Sequence, residues 1–343
     1  MNLMKKTTQR RKRILWLISG IVFAFLCYAV FFNLFPLRIE LETKKTVKTI
    51  LSEPSDLILA VYTDLHHDPA RNEPQPLSDM MSCIRTVMAD VPVNALWNLG
   101  DLINGQNSTK EEAIRQIKEV VSAENSITVN AHRVPGNHDN NIQSTFGEKG
   151  LPETEVLSDS ELCAVLENDE TDQTEHHSST RPTDYYVDFP TVRVVCISAE
   201  NTAFQPETAD WLKTEALKTE KEVLVLSHIP TRPEWGYKND VQNGGLIENA
   251  LRKFISDGGT LICFIHGHDH GDMISDAGEW KEVAIGCARF QKPKGNGTPG
   301  MRYQNRSQNN ETKVLFDFVC IDQNKKEVRF IRFGAGEDRI IHY

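Results

Sequence analysis

Residues 57–66 read Leu-Ile-Leu-Ala-Val-Tyr-Thr-Asp-Leu-His, an apolar, β-favouring run that ends in Asp64 and His66. The same pattern recurs four times. Ala95–Leu99 leads into Gly100-Asp101, and Ile127–Val134 into Gly136-Asn137-His138-Asp139. Val223–Leu226 leads into Ser227-His228, and Leu261–Ile265 into Gly267-His268-Asp269-His270. Short continuous apolar runs rich in β-branched residues predict strands covered on both faces. In sheets flanked by helices, ligands collect beyond the carboxyl ends of the strands. Five strand ends therefore direct Asp, His and Asn side chains towards one crevice.

The segments between these runs complete an α/β pattern. Leu77–Ala89 and Lys110–Ala123 repeat their apolar residues about every 3.6 positions, and Ser108 or Thr109 can cap the second helix. The resulting βαβαβ order predicts a largely parallel sheet with right-handed crossovers. Further strands are predicted at Tyr185–Phe189 and Val192–Ile197, and further helices at Pro206–Lys218 and Leu246–Ser256. Lys313–Ile321 and Glu327–Phe333 read as a closing hairpin, while 140–184 read as loops with a short helix and 288–312 as a glycine-rich loop.

Carboxylate oxygen and imidazole nitrogen are the donors that hard and borderline divalent cations take. Two such ions about 3.5–4 Å apart clamp the attacking and leaving oxygens of an in-line displacement. Ions held that close need a carboxylate between them to offset their repulsion. A lone Gly-Asp or a lone His after a strand is ordinarily a turn or a satisfied histidine. Seven ligand-type residues at five strand ends are not explained in that way.

At these residues the chain resembles the calcineurin-like metallophosphoesterases, whose pattern D-x-H, GD, GNH-[DE], H and GHxH stands unbroken from about Leu57 to Gly271. The resemblance implies two mixed β-sheets packed in a sandwich between helices. It implies two divalent metal ions (manganese, zinc or iron) and hydrolysis of a phosphomono- or phosphodiester by a metal-bridging hydroxide. Carried over, one ion takes Asp64, His66, Asp101 and His270, and the other takes Asp101, Asn137, His228 and His268. His138 then assists the leaving group, and Asp139 orients His138. One departure is informative: purple acid phosphatases carry a Tyr ligand three residues after the bridging Asp, and this chain has Asn104 there. The competing reading is a non-catalytic surface protein that uses the fold as a binding module. Its signature would be missing ligands, and all seven, with His138, are present.

Other histidines read more plainly. His67 is expected at the rim, His132 as structural, His266 behind the ligands, and His176-His177 as solvated. Arg289 reads as a surface arginine that could reach a phosphate.

The first thirty-five residues stand apart. Lys5, Lys6, Arg10, Arg11, Lys12 and Arg13 precede an uncharged run from Ile14 to Phe35. At 1.5 Å per residue that run reaches about 33 Å, enough to cross a hydrocarbon core of about 30 Å. No small-x-small cleavage site follows it, so a signal anchor is expected rather than a cleaved signal. The expected organisation is residues 1–35 as basic segment and transmembrane anchor, 36–55 as juxtamembrane stalk with a short strand within Arg38–Thr49, and 56–343 as catalytic domain. The basic cluster keeps the N-terminus cytoplasmic, giving a single-pass protein of the cell membrane with an extracytoplasmic catalytic domain. Its expected partners are the lipid bilayer, through that helix, and a phosphoester substrate.

Of the 38 Lys and Arg, six lie in that cluster, so 48 Asp and Glu leave the rest of the chain at net −16. A surface this acidic repels polyanions and argues against nucleic acid as substrate. Cys196 and Cys263 sit in apolar runs as buried thiols, whereas Cys83, Cys163, Cys287 and Cys320 have no pairing that the sequence can decide. Asn107, Asn305 and Asn310 match the glycosylation pattern.

Overall fold

Strand β1, Leu57–Tyr62, is buried along its whole length. Its alternating side chains serve two layers: Leu57, Leu59 and Val61 face a second sheet, while Ile58, Ala60 and Tyr62 face helices. The computed structural model describes residues 16–24, 37–71, 76–128, 130–142, 153–167, 174–233, 241–291 and 306–343.

The first sheet has six strands. β1 pairs in parallel with β2 (Ala95–Asn98), which pairs in parallel with β3 (Ala131–Arg133). On its other side β1 meets β11 (Leu315–Asp322) antiparallel, followed by β12 (Glu327–Gly334) and β13 (Arg339–His342). The second sheet runs β4 (Glu175–His177), β5 (Tyr185–Asp188), β6 (Val192–Ile197), β7 (Glu222–Ser227), β8 (Leu261–His266), β10 (Lys281–Ile285), β9 (Asp272–Asp276). Its centre, β6-β7-β8-β10, is parallel, and its edges are antiparallel. Both sheets are thus mixed, and they pack face to face through Trp97, Val194, Leu226, Ile265 and Phe330, among others.

Helices cover both outer faces. α1 (37–50), α2 (Leu77–Met88), α3 (Lys110–Asn125) and α4 (Asp159–Leu166) bury Ile50, Met80, Ile84, Ile117, Val120 and Leu162 against the six-stranded sheet. α5 (Pro206–Trp211) and α6 (Gly244–Ser256) bury Trp211, Leu251 and Phe254 against the other. Thr109 caps α3 by accepting from the Glu112 N–H at 3.2 Å.

Several expectations change. Residues 37–50 form a helix, not a strand. Ile39, Val47 and Ile50 recur at helical spacing and pack on the core, and Glu40–Lys44 adds an i,i+4 ion pair at 2.6 Å. This segment, read from the sequence as a juxtamembrane stalk, packs through these residues on the core beneath the six-stranded sheet's helices. β3 begins only at Ala131, because the chain is still turning at 126–127 after α3. The helix at Pro206 widens into a π turn over Leu212–Ala216. β4, β9, β10 and β13 were not foreseen. Among the described residues no helix is long and apolar enough to cross a membrane. The expected anchor, Ile14–Phe35, lies largely outside the described residues, of which 16–24 are helical.

The six described cysteines are all buried and free. Asn107 is buried with its N–H donating to Asn141 Oδ1 at 2.9 Å, which closes that glycosylation sequence to modification. Asn305 lies outside the described residues.

Candidate metal centre

The loops that leave β1, β2, β3, β7 and β8 meet at one edge of the sandwich, and two close backbone approaches fix their spacing. A Cβ on Gly136 would lie 2.2 Å from Asp101 Oδ1, and one on Gly267 would lie 2.0 Å from Thr63 Oγ1. Glycine is what lets these loops nest. Asp64, His66, Asp101, His268 and His270 all take positive φ, between 47° and 70°. This left-handed turn immediately after a strand aims each side chain into the crevice. Non-glycine residues seldom adopt it outside functional sites.

Two donor groups result. Asp64, His66, Asp101 and His270 each offer an atom within 4.8 Å of the others. His66 Nε2 stands 3.0 Å from His270 Nε2 and 3.5 Å from Asp101 Oδ2, while His270 Nε2 is 3.3 Å from Asp64 Oδ1. In the second group Asn137 Oδ1 lies 3.1 Å from His228 Nε2 and 2.8 Å from His268 Nδ1. His228 Nε2 is also 3.4 Å from Asp101 Oδ1. The two oxygens of Asp101 therefore face different groups. All seven residues singled out in the sequence come together here.

The arrangement fits cations. Two imidazole nitrogens facing at 3.0 Å need a proton or a metal between them. Asp64 Oδ1 is buried without a hydrogen-bond partner. Burial opposes charge on Asp64, yet His270 holds its carboxyl down to about 2. Burial likewise opposes charge on Asp101, but His228 and His138 hold it well below the carboxylate range. Burial lowers His66 far below its ordinary value and takes His268 down to about 4. At His228 burial is outweighed by Asp101, and the imidazole rises to about 9. Protons here occupy positions that a divalent cation, which needs deprotonated ligands, would contest.

Partners outside the donor groups set the ring orientations. His228 Nδ1 donates to Leu99 O at 2.8 Å, which turns Nε2 inward. His270 Nδ1 meets the Gln291 side-chain amide at 3.0 Å. His138 Nδ1 donates to the Asn104 carbonyl at 2.7 Å, and its backbone N–H donates to Asp101 Oδ1 at 2.9 Å.

That last geometry corrects one assignment. Asp139 does not orient the His138 ring. Its buried carboxylate accepts from Gly136 N at 2.7 Å and Ile103 N at 3.2 Å, bracing the turn from beneath. Burial and the Asp101 charge raise its pKa to about 7. The ring partner is the carbonyl of Asn104, the residue already singled out for standing where a Tyr ligand would be. Gln291 carried no signal, being a polar residue at the end of an apolar stretch.

The remaining histidines lie away from the donors. His67 Nε2 pairs with Glu119 Oε2 at 2.9 Å. His132 stacks on Trp97 with centroids 4.4 Å apart, and His176 stacks on Tyr186 at 4.7 Å. His266 is fully buried, with Nδ1 on Gly267 O at 3.0 Å. Arg289 is half-buried, and its N–H donates to Asp64 O at 2.9 Å.

Comparison with known proteins agrees with this geometry. The family model for calcineurin-like phosphoesterases matches residues 57–272. The manganese-dependent ADP-ribose/CDP-alcohol diphosphatase of Bos taurus is 22% identical over 246 residues, which is 54% of this chain and 66% of the relative. The chain thus spans just under two thirds of that relative's length. A dimetal phosphatase of Danio rerio shares the fold, with a TM-score of 0.60 at 15% identity over 84% of this chain and 100% of the other. With the family model covering well over half of its length, the chain belongs to the calcineurin-like phosphoesterase family.

Proposed function

We propose that the chain is a membrane-anchored phosphoesterase with a dinuclear centre, hydrolysing phosphomono- or phosphodiesters outside the cytoplasm. The observation that carries the dinuclear reading is Asp101, whose Oδ2 faces His66 at 3.5 Å while its Oδ1 faces His228 at 3.4 Å. Two divalent ions held there would bring the pKa of a bound water towards neutrality and offset charge growing on the phosphoryl oxygens. Asp64, His66 and His270 would hold one ion, Asn137, His228 and His268 the other, and Asp101 both.

The protein's own groups supply the rest. Asn104 O occupies the Nδ1–H of His138, leaving Nε2 as the nitrogen that can hand a proton to the leaving alkoxide. The His138 side chain is 22% exposed, so a substrate can reach it, whereas His66 beside it is 3% exposed. Manganese is the first metal to try, given the similarity to a manganese-dependent diphosphatase, and diphosphate-linked nucleotides belong among the substrates tested.

Membrane anchoring rests on the uncharged run Ile14–Phe35 behind six basic residues. It is supported by the exposure of Trp16, Leu17, Ile21 and Phe23, at 80%, 69%, 61% and 69%. Apolar surface this continuous calls for an apolar partner. The detergent-solubilised protein, assayed with manganese, is expected to cleave an aryl phosphate, a bis-aryl phosphate or a nucleoside diphosphate ester. Absence of turnover on all three with manganese, zinc and iron would refute the activity. Extraction of the full chain from membranes by carbonate or salt alone would refute the anchor.

A further inference from the structure

Four more metal-ligand side chains converge beside β3, apart from the strand-end centre. Cys163 and Glu167 stand four residues apart at the end of α4, and Glu175 and His177 stand two apart in β4. A spacing of four shares a helix face and a spacing of two shares a strand face. Each element therefore presents a pair of donors on one side. Both pairs line one small cavity of about 20 Å³, together with Arg133, Pro135 and Tyr185.

Within it, Cys163 Sγ, a Glu167 oxygen and a His177 ring nitrogen all lie within 4.8 Å of one another. Cys163 Sγ is 3.0 Å from Glu167 Oε1, and His177 Nε2 is 3.0 Å from Glu175 Oε2. His177 Nδ1 donates to the Pro182 carbonyl at 2.6 Å, so both ring nitrogens have a partner that fixes the imidazole's orientation. Metal-ligating imidazoles are held in just this manner. Glu175 is itself fixed by a hydrogen bond from His132. Glu167 is exposed and gives an ion a way in.

We propose that Cys163, Glu167 and His177, with Glu175 against the His177 ring, form a second metal site for one zinc-class divalent ion. The site clips α4 to β4 beside the strand that leads to Asn137 and His138. One thiolate, one imidazole and one carboxylate make a borderline-soft donor set of three, suited to zinc or cobalt and unsuited to magnesium or calcium. Without an ion, burial and the Glu167 carboxylate hold the Cys163 thiol protonated, far above its ordinary range. The hydrogen bond that its ring donates to Glu175 raises His177 to about 9. On binding, the cation takes the place of both protons, which pass to solvent.

Cobalt titration of the full-length protein in detergent tests this, because a cysteine thiolate bound to Co(II) gives a near-ultraviolet charge-transfer band that carboxylate and imidazole ligands do not. The expected result is one equivalent of thiolate-bound cobalt, lost in Cys163→Ser and retained in Cys287→Ser, whose thiol lies near the other centre. His177→Gln, which keeps the thiol, is expected to weaken cobalt binding in that band by at least about tenfold. No thiolate band in the wild-type protein, a band that survives Cys163→Ser, or unchanged affinity in His177→Gln would overturn the site. If Cys163→Ser does not fold, the His177→Gln titration decides.

Discussion

Asp139 and His138 are neighbours in sequence with separate tasks. Asp139 accepts two backbone N–H groups under the turn, whereas the imidazole's Nδ1 is held by the Asn104 carbonyl. Asp139→Ala strands both N–H groups in a buried site, at about 1–3 kcal/mol each. The variant should therefore unfold at lower urea while keeping the wild-type pH profile of kcat. A shift in that profile would restore the orienting role. His138→Gln should lower kcat roughly 10²–10⁴-fold with metal content unchanged. The loss should be greater for alkyl than for aryl phosphates, because an aryl oxide leaves without needing its proton; equal losses for both would remove His138 as the proton donor. Identity of the donors was legible in the sequence because Asp, His and Asn after buried strands have no common structural use in that order. Orientation was not legible. The carbonyl of Asn104 has no side-chain signature, and a turn in which residue 138 points one way and 139 another is set by φ and ψ.

At the scale of elements, strands β1, β2, β7, β8, β11 and β12 were readable because both of their faces are covered, giving unbroken apolar runs. β4, with the sequence Glu-His-His, has no apolar pattern at all, and its place at the sheet edge comes from pairing with β5. β9 and β13 are short edge strands too, of five and four residues, each covered on only part of its length. Helix α1 was misread because its apolar positions are few and its other face is charged. Ile50, 1% exposed, anchors it, and Ile50→Ala should cost about 2–5 kcal/mol. A free juxtamembrane stalk would instead show no change in urea unfolding. Loop nesting is equally local: a methyl at residue 267 would meet Thr63 Oγ1 at 2.0 Å and Asp64 Oδ2 at 2.6 Å. Gly267→Ala should thus displace the His268–His270 loop, with loss of bound metal and far-ultraviolet circular dichroism unchanged. Wild-type metal content in that variant would show that the loop tolerates the shift.

For the molecule as a whole, what matters is that both sheets contribute to one centre, so their relative position must be rigid. Arg332 and Arg339 tie them together. Arg332 Nε and Nη2 reach Asp317 at 2.9 and 3.0 Å, and Nη1 reaches Asp272, two residues beyond His270, at 3.3 Å. Arg339 binds the same two carboxylates. Burial opposes the charge on Asp317, but Arg332 and Arg339 outweigh it and lower its pKa. A carboxyl with a depressed folded pKa contributes stability above its unfolded value and loses it as pH falls through the folded one. Asp317→Asn should therefore cost about 3–5 kcal/mol at neutral pH, with the gap to wild type closing as pH falls below about 4. A gap that stayed constant into acid would mean that the pair contributes no charge-dependent stability. The most direct test of the central claim is anomalous diffraction from crystals grown with manganese. Two peaks are predicted in the strand-end crevice, one against Asp64, His66 and His270, the other against Asn137, His228 and His268, with Asp101 touching both. A single peak, or two that do not share Asp101, would contradict the dinuclear centre.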